Sequence, residues 1–484
     1  MNILIMGITF LASLTSIVLR QQKIVRFVAP IFAAINLVAV LFLCWPYLSG
    51  AQQSFFGGWW FIDGFSALML VLVATLYLGV ALVSNHYIKH EYQEGIINDK
   101  KVRLYFSLLH LFALSMLTVL LADNTLLLWI SLEMTTLSSV FLVGFYDRKT
   151  SVEAAWKYVI ICSTGITMGL IGILLFGYGL GGASATSIFS LSALMAHATS
   201  IAAPLAKLAF IFVFIGFGVK VGLVPMHSWL PDAHSKAPSP ISAFFSGILL
   251  NVALYVIIRF QGLTNVALSD HTWTGNLFLI FGLMSVLLPV FMMLTQKNYK
   301  RLLAYSSIEH MGLILLALSV PPLGIIAAII HMIGHTLTKS LLFFGAGEIL
   351  LTYKTTNIAK VKNLFQNTPR TGVLFVLGIL IIIGLPPTAL FVSEYTLFTA
   401  LIQSHLYVAL LLFAALSVIA LAMLRLTISM TLPGPDETKI EIKEKWNITH
   451  VVMIGEIILV VLASLWFSSA SGMNFINSIA RNLF

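Results

Sequence analysis

The stretch KVGLVPMHSWLPDAHSKAPSP, residues 220–240, decides how the whole chain is read. It follows LAFIFVFIGFGV, residues 208–219, a run without a single charge, and then places Lys220 and, within twenty residues, four prolines and two histidines. A charged side chain at mid-membrane costs roughly 2.5–3.5 kcal/mol on insertion scales, so a lysine kept there has a use. Pro225 has no backbone N–H to give and breaks the helix beside that lysine. Such a break is tolerated at membrane depth where it is buried in protein or lines a water-filled cavity. The stretch therefore predicts a discontinuous helix enclosed by other membrane helices.

The rest of the chain supplies those helices. Of its 484 residues 59% are hydrophobic and 9% charged, with a mean hydropathy of +0.99, which lies outside the range of soluble globular domains. Apolar runs of roughly 20 residues, long enough to cross a hydrocarbon core of about 30 Å, recur throughout. Barrel strands would instead alternate polar and apolar over about ten residues. Fourteen spans are predicted, at 2–19, 27–48, 61–85, 104–121, 124–145, 154–180, 204–224, 240–260, 273–295, 301–320, 323–351, 371–395, 406–430 and 449–470. The opening MNILIMGITFLASLTSIVLR has no basic residue before its apolar run, so it reads as a retained first helix. The expected fold is a single all-α polytopic membrane domain, residues 1–484.

The net charge of +9 does not point to nucleic acid, because the basic residues sit in short connections between apolar runs. Twenty of the 27 fall in the odd-numbered connections, among them Lys439, Lys443 and Lys445, while Lys207, Arg259 and Arg481 fall on the opposite side. This asymmetry makes the odd connections cytoplasmic and puts both termini on the other face. Cys44 and Cys162 lie inside apolar runs and form no spaced metal or disulfide motif. The sequence also lacks a nucleotide-binding glycine loop, a haem attachment motif and an iron–sulfur cysteine set, so no cofactor is expected in this chain.

An internal repeat is visible in GLVP (222–225) and GLPP (384–387), which are 162 residues and five predicted spans apart. An odd number of helices per unit turns the second copy upside down, as in many transporters. The two inverted units are expected at 104–260 and 273–430, with helix breaks at Pro225 and at Pro386 and Pro387. Their alignment sets Glu133 opposite Glu309, Lys157 opposite Lys339, and the Lys220 helix opposite the Glu394 helix.

Acids and lysines thus alternate from helix to helix inside the membrane. Two unit charges about 4 Å apart interact by about 4 kcal/mol at an effective dielectric of 20, so a Glu133–Lys220 pair would act as a protonation switch or as a static salt bridge. His331, His335 and Lys339 are spaced i, i+4, i+8 on one helical face, which suits a proton relay. The competing metal reading has the histidine pair of HMIGH (331–335) but no evident third ligand. Glu456, alone in the last span, reads as a polar residue at a subunit contact. Lys157, Glu348 and Arg425 lie near cytoplasmic span ends and are able to snorkel. His227, Asp232 and His234 approach the cytoplasmic face, where they either feed protons to Lys220 or merely cap its helix.

AYSSIEHMG (304–312), KVGLVPMHSWLPDAHSKAPSPISA (220–243), LLLWISLEMTTLSS (126–139) and GLPPTALFVSEY (384–395) resemble the proton-translocating antiporter-like subunits of respiratory complex I, Mrp antiporters and group 4 hydrogenases. The resemblance covers residues 100–430, and SSIEHMG, with His310 after Glu309, is most similar to the hydrogenase-4 component F group. It implies a hydrophilic proton axis through Glu133, Lys220, Lys339 and Glu394, with Asn251 standing where several relatives carry a lysine or histidine. It also implies other membrane subunits and a cytoplasm-facing redox module as partners, carrying iron–sulfur clusters and, in the hydrogenase case, nickel–iron. The expected location is a prokaryotic inner membrane. Two alternatives stand beside this reading: an Mrp-like Na+/H+ antiporter subunit, and a membrane scaffold without ion transport.

Overall fold

The computed structural model describes residues 2–49, 51–55, 58–181, 188–434 and 444–481. Lys439 and Lys443 lie outside them, as does the side chain of Arg481. Helices α1 (Asn2–Val18), α2 (Gln22–Cys44), α3 (Gly64–Gln93), α4 (Asp99–Leu121), α5 (Thr125–Val143) and α6 (Lys149–Gly179) lead to the broken pair α7 (Ala203–Val221) and α8 (Trp229–Lys236). They are followed by α9 (Ser239–Leu268), α10 (Thr272–Thr295), α11 (Tyr299–Leu318) and α12 (Leu323–Tyr353). A second broken pair, α13 (Pro369–Ile382) and α14 (Ala389–Ser404), precedes α15 (Leu406–Thr431), α16 (Ile448–Phe467) and α17 (Ala470–Arg481). A small antiparallel hairpin, Gln53–Phe55 with Trp60–Ile62, lies between α2 and α3.

Among the described residues twelve helices are long and apolar enough to cross a membrane. The protein is thus a polytopic membrane protein. Of the fourteen predicted spans, the first corresponds to the shorter helix α1 and the twelfth to the interrupted pair α13 and α14. The extra polar content of that pair explains the difference: GLPPT puts a left-handed glycine, two prolines and a capping threonine inside one apolar run.

Both breaks are built alike. Gly222 ends α7 at φ +80° and Gly384 follows α13 at φ +77°, a left-handed conformation that favours glycine. After each, the next amide bonds back into the helix, Leu223 N–H to the Gly218 carbonyl at 3.0 Å and Leu385 N–H to the Leu380 carbonyl at 3.2 Å, closing a Schellman turn. At the first break two more backbone groups find protein partners. The Trp229 indole donates to the Val219 carbonyl at 2.9 Å, and Val224 N–H donates to Ser285 Oγ of α10 at 3.0 Å. These side chains satisfy backbone that leaves the helix, as a break at membrane depth requires.

Helices α9, α11 and α12 form the centre: the most apolar stretch of each is at least 94% buried, against 33% for α2, α15 and α16 at the periphery. Small residues let neighbouring backbones meet. On α6 and α7, a Cβ added at Gly216 would lie 2.4 Å from the Gly169 nitrogen, so only glycine fits that crossing. Helix α9 carries one π turn, Phe245–Leu249, between its two α-helical parts. Asp63 caps α3 and binds Arg259 of α9 through two bonds of 2.6 and 2.7 Å.

Candidate functional site

The site grows from the buried centre outward. Lys220, in the last turn of α7, is fully buried. Its Nζ donates to Thr136 Oγ1 of α5 at 2.8 Å and to the Tyr158 hydroxyl of α6 at 2.6 Å, and stands 4.7 Å from the centre of the Tyr158 ring. Tyr158 is in turn 2.8 Å from Ser139 Oγ. Glu133 lies one turn from Thr136 on α5, so both point to the same side of that helix. Its carboxylate accepts from Ser163 at 2.6 Å, and its second oxygen is buried without a hydrogen-bond partner among the described residues. The expected contact pair of Glu133 and Lys220 is thus not formed: no ion pair joins them among the described residues, and hydroxyls surround the lysine instead.

The second lysine follows the same pattern. Lys339 of α12 is fully buried and donates to the Leu303 carbonyl at 3.0 Å and to Ser306 Oγ. The adjacent Ser307 meets Ser246, in the π turn of α9, at 2.6 Å. A hydroxyl pair therefore links the helix that follows the first break to the helix that cradles the second lysine.

Beyond Lys339 the histidines converge, though not along one helix face as their spacing predicts. His310 Nδ1 of α11 is 2.9 Å from His331 Nε2, and His331 Nδ1 is 2.9 Å from Ser393 Oγ of α14. The ring of His335 lies 5.4 Å from that of His310, and neither of its nitrogens has a partner among the described residues. His310 also approaches Glu309, at 3.4 Å. The cross-helix residue His310 thus joins what the i, i+4 pair does not. Glu394 follows Ser393 and reaches back to the second break, where a Cβ on Gly384 would lie 2.4 Å from its Oε2. Ligand atoms of His310, His331 and Glu394 all lie within 4.8 Å of one another, a group that takes only His331 from HMIGH and leaves His335 out.

Other expectations are corrected by burial. His234, expected toward the cytoplasmic face, is fully buried, stacked on Phe343 with ring centres 5.4 Å apart, and both its nitrogens lack partners among the described residues. Asp232 is held by Lys157 and Arg301, each at 3.3 Å, and Lys157 also pairs with Glu153 at 2.7 Å, outside the buried line. His227 is half-buried, with Nδ1 unpartnered among the described residues. Asn251 spends its amide on Thr336 Oγ1 at 2.9 Å and on the Met332 and Gly247 carbonyls at 3.3 Å, fastening α9 to α12. Glu456 is not at an outer surface: it is buried and accepts from Ser340, next to Lys339, at 2.5 Å. Glu348 meets Asn447 at 2.9 Å, and Arg425 is exposed beside the Leu294 carbonyl.

Thr136, Tyr158, Ser163, Ser246, Ser306, Ser307 and Ser393 were not singled out from the sequence. Their signal is positional: each lies in an apolar run, and Thr136 sits one turn from Glu133 and Ser393 beside Glu394.

Residues 122–420 match the family model described as NADH:quinone oxidoreductase/Mrp antiporter, TM. A hydrogenase-4 component F homolog from Methylacidiphilum infernorum (isolate V4) is 37% identical over 446 residues, covering 90% of each chain. In fold, the chain is similar to a subunit of the membrane-bound sulfane sulfur reductase, an archaeal respiratory membrane complex, with a TM-score of 0.87 at 22% identity over 100% of this chain and 97% of that one. It is also similar to a chain of the Mrp complex from Dietzia sp. DQ12-45-1b, with a TM-score of 0.85 at 19% identity and the same coverage. The chain belongs to the transmembrane NADH:quinone oxidoreductase/Mrp antiporter family.

Proposed function

We propose that this protein moves protons as an antiporter-like membrane subunit of a multi-subunit redox complex of the hydrogenase-4 type. The observation that supports this best is the solvation of its two buried lysines by hydroxyl groups and a carbonyl instead of carboxylates. A lysine that pinned helices electrostatically would touch an acid, and losing its proton would leave that acid buried and uncompensated. A hydroxyl donates as well as accepts, so it serves an ammonium and a neutral amine alike. The nitrogen is free to change protonation state in place.

In this reading Glu133, Lys220, Lys339, the histidines and Glu394 form a proton axis across two inverted units, 104–260 and 273–430. Ser246 and Ser307 bridge the units. Electron transfer resides in partner subunits with iron–sulfur clusters and, for a hydrogenase, nickel–iron, on the cytoplasmic side of a prokaryotic inner membrane. Protons are favoured over sodium as cargo because the axis offers mainly nitrogen, whereas sodium prefers clustered oxygen ligands. The test uses the assembled complex in membrane vesicles. Glu133→Ala and Lys220→Ala are expected to abolish proton movement while electron transfer continues; full pumping by either variant would overturn the proposal.

A further inference from the structure

A second set of buried ionisable groups lies outside this axis, at the end that the basic connections mark as cytoplasmic. A cavity of about 400 Å³ opens there between α3, α11 and α12, rimmed by Arg148, Lys236 and Lys354. Glu91 of α3 lines it and is 4% exposed; it accepts from the Tyr146 hydroxyl at 2.5 Å, and its other oxygen is buried without a partner among the described residues. Lys300 of α11 lines the same cavity, is 1% exposed and donates to the Ala237 carbonyl at 2.7 Å. No ion pair joins Glu91 to Lys300 among the described residues, so the two charges face each other across the cavity. A carboxylate and an ammonium are costly to bury and leave unjoined, and a polar space of this size holds water that serves both.

The inner wall of the cavity is α12, the helix of Lys339. Leu351 lines the cavity, and Gly347, Phe343 and Lys339 follow at one-turn steps on the same face, spanning about 18 Å. Polar atoms stand at each step. Above Gly347, which has no side chain, Ser239 brings its Oγ to 3.4 Å of where a Cβ would be, and the Tyr87 ring edge comes within 3.6 Å. The Tyr87 hydroxyl is 3.3 Å from that of Tyr146. Ser239 is fully buried with no partner for its hydroxyl among the described residues, and His234 stacks on Phe343 with both nitrogens unpartnered. Buried polar groups are almost always satisfied, by ordered water where protein offers no partner. Lys220, by contrast, lies behind Tyr158, whose ring packs on Trp229 and Phe245.

We propose that the Glu91–Lys300 cavity is the cytoplasmic proton intake of this protein and that it loads Lys339 by way of Ser239 and His234. The inference rests on the proton-translocating reading above. Glu91 carboxylate takes a proton from hydronium and leaves water. The resulting acid returns that proton through water and the His234 imidazole to a neutral Lys339 amine, which becomes ammonium while Glu91 is again a carboxylate.

The assembled complex in inside-out vesicles tests it, with protons taken up per electron pair as the readout. Glu91→Gln keeps the shape and the acceptor for Tyr146 but carries no proton. It is expected to lose most of the uptake at an unchanged electron-transfer rate, and Glu91→Asp to restore part of it. Tyr146→Phe, which deletes only the hydroxyl facing Glu91, is expected to lower the ratio as well and decides the matter if Glu91→Gln does not assemble. A parental ratio in Glu91→Gln, or in Tyr146→Phe in that event, overturns the intake. Lys220→Ala separates the two levels: loss of uptake there with a parental Glu91→Gln refutes only the intake, whereas full uptake in Lys220→Ala refutes the proton reading itself.

Discussion

Replacing Lys220 by methionine is expected to stop proton movement while barely changing the stability of the bundle. The ammonium makes two hydrogen bonds, to Thr136 and Tyr158, and stands over the Tyr158 ring. Hydrogen bonds to a charged group contribute about 1.5–3 kcal/mol each and a desolvated cation over an aromatic face about 2, so these contacts supply about 5–8 kcal/mol. Burying the ion costs several kcal/mol, of the same order. The two nearly cancel. Methionine keeps the length of the side chain and removes both terms, and the Tyr158 hydroxyl it abandons stays bonded to Ser139. Thermal unfolding of the purified complex should therefore shift by no more than a few degrees, while vesicle acidification driven by electron transfer disappears. If the variant unfolds far below the parent, Lys220 is structural; if it pumps at the parental ratio, the lysine is not on the path. Either result refutes the reasoning.

Asp63 and Arg259 give the opposite case. Asp63→Asn leaves a buried guanidinium without its charge partner and should cost about 3–5 kcal/mol in detergent unfolding, with the double variant Asp63→Asn, Arg259→Leu recovering much of it. Gly216→Ala places a Cβ 2.4 Å from the backbone nitrogen of Gly169, which has no side chain to move aside, and should abolish assembly as judged by native electrophoresis. Glu444 accepts bonds from Thr371, His450 and the Arg370 and Thr371 amides; although burial alone would raise it, these bonds bring its carboxyl down to about 2. A depressed carboxyl stabilises the fold fully above its unfolded value of about 4.3 and loses that stabilisation as pH falls toward about 2. Glu444→Gln should therefore lower stability near neutrality and flatten its decline on the acid side, read from unfolding midpoints across that window.

The broken helix at Lys220 was legible because proline and glycine act locally: Pro225 and Gly222 dictate a break whatever surrounds them. The buried lysines and acids were legible because their cost is large and one-sided. What the sequence hid is what each charge touches. Glu133 and Lys220 are complementary, yet the lysine bonds Thr136 and Tyr158 while the acid bonds Ser163, and only the packing of α5, α6 and α7 reveals that. His310 outranks the spacing of His331 and His335 because the imidazole contact crosses helices, and a periodicity within one helix carries no information about its neighbour. Lys300 was counted among topology-setting residues of a connection, and Glu91 sat too near a span end to draw notice. Lys300 is bonded to the Ala237 carbonyl beside α8 and Glu91 to Tyr146 in the α5–α6 connection, contacts that only the fold supplies.

The π turn of α9 has a consequence for how this chain tolerates change in length. One residue more than an α-turn needs is lodged between Phe245 and Leu249, and each residue rotates a helix by about 100°. Deleting that one residue would let α9 close into a regular helix with its two halves still aimed as before, because the wide turn already absorbs the extra rotation. A deletion in the regular helix between the π turn and Asn251 has no such slack and would swing everything beyond it by that angle. Asn251 would turn from Thr336, and Arg259 from Asp63. The π turn is therefore the place in α9 where the loss of one residue should be best tolerated.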